Sequence, residues 1–302
     1  MHLAMCTAAI ASNSFLLYLL RKCSPFHVHM KIIMTHQTLA VMAADVYLFL
    51  RSSLGLWQTY SVTPAQLRAA IQSVDGSQCS FSSSVPDSLC MLFIWFPFIL
   101  ALERSYASQN YQTYESNEAP FIFKVLCGVM WIPVVTEVVV FLFTWSLPSN
   151  LQACQYSLLN QSTMQRNAWF VIIAAFSATF SMYFKYLEHK NRQVEVDSYS
   201  DYVFSSRFQI RENIKTCRFV FSLLFLFFIF FFIFFLFDSY LEISEHVRIV
   251  SAAKREYLFL IFPVFGLIYS LHFLTTHSSL FETAKRAFQQ YYYHEHERMI
   301  DH

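Results

Sequence analysis

Three apolar runs of the chain carry ionised groups within them or at their ends: Asp45 and Arg51 in one, the adjacent Glu103 and Arg104 in the next, and Glu137 in a third. A charge at bilayer depth is costly and faces a bundle interior or a watery cavity, so each of these is a candidate for function. Asp45 falls near the middle of its run, where a signalling or ion-linked role is open to it. Glu137 lies in the outer half of another run, where a ligand-facing role competes with a simple interhelical hydrogen bond. Arg51 sits near an end and can extend its head group to the surface. Glu103-Arg104 follows the run MLFIWFPFIL, and two readings compete for it. The pair can restrain a resting state and release Arg104 to a partner, or it can be an interfacial ion pair that stops the helix and contributes little. Arg207, Arg211, Lys215 and Arg218 recur at three- and four-residue steps and so line one helical face. Such a face suits an acidic protein surface or anionic lipid headgroups, and also suits a plain excess of inner cations.

Enzyme chemistry is not expected. His27 and His29 stand two apart, no His-x-x-His-His cluster occurs, and no nucleophile is paired with a base. His294, His296 and His302 read as solvated tail residues rather than a metal site, and no cofactor is expected. A formal net charge of +1 with no basic domain speaks against nucleic acid.

The elements that must position these residues are membrane helices. Of 302 residues, 56% are hydrophobic and 14% are charged, where a soluble domain carries about 25% charged. Apolar runs recur at the length needed to cross the ~30 Å hydrocarbon core as a helix. They place spans at about 3–20, 32–56, 87–106, 121–145, 165–187, 217–237 and 256–276. The runs are continuous rather than alternating, which excludes barrel strands. FVFSLLFLFFIFFFIFFLF (219–237) is apolar on every side, so no period marks a buried face. Pro97, Pro133 and Pro263 fall inside spans and permit kinks. The first span contains Ser12, Asn13 and Ser14, yet no cation precedes it and Arg21-Lys22 follow, which favours a retained helix over a signal peptide. Residues 278–298 read as an interfacial helix, with Leu280, Phe281 and Ala284 on an apolar stripe beside Lys285 and Arg286. No connecting segment is long enough to fold alone, so residues 1–302 read as one domain.

Lys and Arg set the orientation. With the N-terminus outside, inner flanks hold about three times as many cations as outer ones. That arrangement leaves only Cys79 and Cys154 in outer loops, where oxidation is permitted. Cys79 precedes Arg104 by 25 residues, roughly 37 Å of helix, so it belongs at the outer mouth of the third span. A Cys79–Cys154 bridge would tie an outer loop over the bundle; two unpaired thiols are the alternative. Asn160-Gln161-Ser162 is a glycosylation acceptor in that loop.

ERSYASQNYQTYES (103–116) and YVFSSRFQIRENIKTCRF (202–219) resemble the nematode serpentine chemoreceptors of the superfamily with classes alpha, beta and epsilon. Glu-Arg followed by Ala-Ser and Tyr-Glu looks most like class epsilon, and the run from Ser205 through Arg207, Phe208 and Gln209 to Glu212-Asn213 is shared across the classes. The resemblance covers the chain from first span to last. It implies an all-α seven-transmembrane G-protein-coupled receptor of sensory neurons, with a small-molecule ligand and a heterotrimeric G protein as partners. Glu103, Arg104, Arg207, Arg211 and Lys215 would then serve coupling. The last span has Pro263 and Tyr269 without an Asn-Pro-x-x-Tyr arrangement, so no switch is carried over from it. The chain begins inside its first helix, short of the outer tail usual in the superfamily, which reads as a shortened or divergent member. The competing function is a seven-helix ion channel or transporter. Nothing resembles a selectivity filter, the two halves are not alike, and a channel of the insect odorant type would need an inside N-terminus.

Overall fold

The computed structural model describes residues 2–22, 27–61, 80–111, 114, 121–144, 163–197, 204–244, 260–276, 280–286 and 289, and no strand occurs among them. The helices are α1 (His2–Lys22), α2 (Val28–Ser61), α3 (Ser80–Gln109), α4 (Phe121–Val129), α5 (Ile132–Thr144), α6 (Thr163–Asp197), α7 (Phe204–Ser244) and α8 (Ile261–Thr276). Among the described residues, five stretches are long and apolar enough to cross a bilayer: His2–Lys22, Val28–Ser53, Phe121–Val139, Asn167–Val196 and Arg207–Tyr240. Ile261–Thr276 is a shorter apolar helix.

The stretch expected as one helix over 121–145 is broken at Met130-Trp131 into α4 and α5. Pro133 is the cause. It has no N–H to donate to Val129, the last residue of α4, and its ring crowds that carbonyl. The Trp131 N–H bonds the Gly128 carbonyl at 3.1 Å instead, and the ladder resumes from Val135 to Trp131 at 2.9 Å. The other two prolines do not break their helices. α3 continues through Pro97, and Pro263 lies in the first turn of α8, where a missing N–H is not needed.

With α4 and α5 taken as one interrupted rod, the described residues form seven rods. α3 is the axis of the bundle and touches α2, α4, α5, α6 and α7. α8 closes the ring against α1, α2 and α7. α6 and α7 pack together extensively as antiparallel neighbours. With 35 and 41 residues, they run roughly 50 and 60 Å, well beyond the ~30 Å of hydrocarbon. Their excess length places the polar ends Lys185–Asp197 and Phe204–Arg218 side by side.

The core is aromatic. Phe227 of α7 meets Phe265 of α8 at 4.7 Å between ring centres, and Phe93 of α3 meets Phe227 at 6.0 Å. α7 does have a buried face: Val220, Leu223, Leu224, Phe227 and Phe231 point inward, while Phe225, Phe232, Ile233 and Leu236 are exposed. Inward residues recur at three- and four-residue steps, as a packed helix requires. In the short segment 280–286, Leu280 and Ala284 are buried and Phe281, Lys285 and Arg286 are exposed.

Candidate functional site

Among the described residues, two clusters of buried polar side chains join the helices of the bundle around the charges named from the sequence. The first gathers at the end of α3. Glu103, Arg104, Tyr114, His29 and Asn213 are each no more than 2% exposed. Arg104 grips the Glu103 carboxylate through Nε and Nη2, one nitrogen to each oxygen. The Tyr114 hydroxyl donates to the same carboxylate and accepts from Arg104 Nη2 at 3.1 Å. Burial pushes the Tyr114 phenol up, so it remains a donor. Arg104 Nη1 reaches Asn213 Oδ1 on α7 at 3.2 Å, and Asn213 Nδ2 returns to the Ala107 carbonyl of α3 at 3.1 Å. His29 of α2 stands 3.4 Å from the Tyr114 hydroxyl, and His27 packs on the Tyr114 ring at 4.3 Å. Toward α6, Ser105 bonds the Tyr183 hydroxyl and Asn191 donates to Ser108 at 3.0 Å.

The helix-stop reading of Glu103-Arg104 therefore fails, since α3 continues to Gln109 and both side chains are buried. The pair instead ties α3 to α7 through Asn213, and Tyr114 extends the cluster to His29 of α2. A buried ion pair with every partner in place is coherent, but it is strongly destabilised when one member goes.

The second cluster lies between α1, α2 and α8. Asn13 Nδ2 is 3.5 Å from Asp45 Oδ2, 3.3 Å from the Gly266 carbonyl and 3.0 Å from the Ala9 carbonyl. Beside it Ser12 and Ser270 share a hydrogen bond at 2.5 Å, and Thr38 and Tyr269 share one at 3.1 Å. Asn13, which weakens the first span as an apolar segment, is thus the partner of the buried Asp45. Gly266 makes the approach possible: a Cβ there would meet Asp45 Oδ2 at 2.6 Å and Asn13 Nδ2 at 2.9 Å. Gly266→Ala should lower stability by about 1–3 kcal/mol through overpacking, read as a drop in the thermal midpoint in detergent. Because the clash is with Asp45, adding Asp45→Ala should cost less than the sum of the two single changes. Strict additivity would show that the methyl is accommodated elsewhere.

The family model described as Sre G protein-coupled chemoreceptor matches residues 2–300. The chain belongs to that family. The receptor is accordingly an integral, multi-pass, all-α membrane protein of the seven-transmembrane type, and the class epsilon resemblance of residues 103–116 and 202–219 is confirmed. No curated protein and no solved structure matches the chain.

Other receptor residues named from the sequence are spread more widely. Arg211 and Lys215 are exposed on α7 and Arg207 is half-buried, with Arg211 Nε paired to Glu195 at 2.7 Å. The opposite face of that segment buries Gln209, Asn213, Thr216 and Cys217. Arg51 and Glu137 are half-buried on α2 and α5 and take no part in either cluster among the described contacts. Cys79, Cys154 and Asn160 lie outside the described residues.

Sequence reasoning missed Tyr114, Asn213 and His29 as members of the first cluster. Tyr114 and Asn213 sit inside the two motifs that carry the family resemblance, which was the available signal. Nothing in the local sequence marks His29.

Proposed function

We propose that the receptor binds a small-molecule cue in the outer half of the bundle and signals through a heterotrimeric G protein at the inner end. In this reading the N-terminus is outside, the C-terminus is cytoplasmic, and the receptor works in the plasma or ciliary membrane of sensory neurons. The observation that carries it is the buried junction of Glu103, Arg104, Tyr114 and Asn213, which couples α3 to α7 one turn from the exposed Arg211 and Lys215. A partner shifts only states that it distinguishes. With α7 against α3, Arg104 is covered; movement of α7 away from α3 would present it beside the α7 cations. Arg207, Arg211 and Lys215 would then meet acidic groups of the G protein, each adding little because exposed charges are screened. A Cys79–Cys154 bridge and a glycan on Asn160 belong on the outer side of the same arrangement.

Epitope accessibility and signalling in one cell line test it. A tag within residues 65–75 should be labelled on intact cells, and a tag after the last residue only after permeabilisation. A panel of volatile and water-soluble metabolites should then produce a response that disappears when the G protein is removed. Reversed labelling, or a cue-evoked current that persists without any G protein, overturns the reading.

A further inference from the structure

Glu188 of α6 is 1% exposed, yet it gathers three cations. Lys185 Nζ donates to Oε2 at 3.0 Å. Arg192 reaches Oε1 through Nε at 3.1 Å and Nη2 at 2.6 Å. Arg218 crosses from α7 and reaches the same oxygen from both Nε and Nη2 at 3.2 Å. Lys185, Glu188 and Arg192 share one face of α6 by their three- and four-residue spacing. The carboxylate needs only one such partner for its charge. The three cationic side chains are 57, 51 and 59% exposed, and their donors outnumber the acceptor sites of a single carboxylate. Lys185 and Arg192 line an open cleft of ≈ 250 Å³ with Glu188 and His189, and Arg218 reaches Glu188 from α7.

The position of the cluster is as informative as its charge. Arg218 immediately precedes the apolar run of α7, and Lys185 Nζ lies 5.5 Å from the Phe221 ring. Tyr186 beside Lys185 and Met182 a turn before it on α6, and Phe225 a turn beyond Phe221 on α7, are 59, 69 and 46% exposed. Fixed cations thus border bare apolar surface at the level where the hydrocarbon begins. That combination matches an amphiphile with an anionic head.

We infer that Lys185, Arg192 and Arg218, fixed by the buried Glu188, bind the phosphorylated headgroup of an anionic phospholipid whose acyl chains lie along α6 and α7. Glu188 preorganises the three cations, which reduces the side-chain ordering that headgroup binding must oppose. Anionic lipids concentrate in the cytoplasmic leaflet, so the physiological placement rests on the orientation proposed above. A symmetric bilayer removes that dependence from the test, while epitope labelling decides the orientation separately.

The full-length receptor in phosphatidylcholine nanodiscs is titrated with a photo-crosslinkable phosphatidylinositol bisphosphate. Lys185→Gln, Arg192→Gln and Arg218→Gln should each weaken labelling about fivefold, and Lys185→Arg should retain it. Lys190→Gln removes an exposed cation from the opposite side of α6 and should change labelling by less than about twofold. Each substituted side chain is exposed, so the variants should keep the parent elution profile and thermal midpoint. Equal losses in all four Gln variants would reduce the effect to general surface charge and overturn the site, as would labelling unaffected by any of them. Soluble inositol trisphosphate should compete poorly, since it lacks the chains. Competition equal to that of the lipid would assign the cleft to a free phosphate compound and overturn the lipid inference.

Discussion

Arg104→Ala should cost the receptor about 3–5 kcal/mol of stability and silence it. The first effect follows from burial. The guanidinium is 2% exposed and bonds Glu103, Tyr114 and Asn213. Its removal leaves the Glu103 carboxylate, itself 0% exposed, without a countercharge. A surface arginine read from sequence would have left expression intact; this one should reduce surface delivery and lower the thermal midpoint in detergent. The second effect must be separated from the first. Glu103→Gln/Arg104→Met removes both charges at similar volume, and replacing both members of a buried pair is often neutral for stability. The double variant should therefore regain most of the midpoint and surface level while failing to activate the G protein on cue. Normal cue-evoked signalling in the double variant would show that the pair only holds the fold together.

The helical class of this fold was legible because lipid imposes it. Long continuous apolar runs with satisfied backbones leave helices as the solution, and α6 and α7 contain such runs. What the same physics hides is sidedness. The run at 219–237 is apolar on both faces because lipid tails and the bundle interior are equally apolar, so hydropathy cannot tell Phe227, which is buried, from Phe225, which is 46% exposed. The break at Met130-Trp131 was half legible: Pro133 announces a disturbance, but whether a proline ends a helix depends on neighbours, as the unbroken passage through Pro97 shows. The clusters divide in the same way. Glu103, Arg104 and Asp45 stand out because ionised groups in apolar runs are costly. Their neutral partners Asn13, Tyr114 and Asn213 do not stand out, since nothing local says which of many polar residues faces inward. Gly266 is the extreme case, meaningful only because α1 and α2 bring Asn13 and Asp45 against it.

Asn213→Ala should raise signalling in the absence of any cue. Asn213 makes two bonds between α7 and α3, one accepting from the Arg104 guanidinium at 3.2 Å and one donating to the Ala107 carbonyl at 3.1 Å. A hydrogen bond to a charged group contributes about 1.5–3 kcal/mol and a neutral one about 1 kcal/mol. Unlike Arg104→Ala, this change leaves Arg104 bonded to Glu103 and Tyr114, so the buried charges stay compensated. If the two bonds exist only while α7 lies against α3, their loss favours the separated arrangement by about 2.5–4 kcal/mol, or roughly a hundredfold or more in the equilibrium. Basal G-protein activation per receptor at the surface should rise accordingly, and the cue should need a lower concentration, because less of its binding energy goes into parting the helices. Gln209→Ala is the control: Gln209 is also buried on α7, one turn earlier and outside the cluster among the described contacts. That variant should lose some stability with no rise in basal output. A raised basal output in both variants would trace the effect to general loosening of α7. Unchanged basal output in Asn213→Ala, at a normal surface level, would mean that the α3–α7 tie does not restrain the receptor.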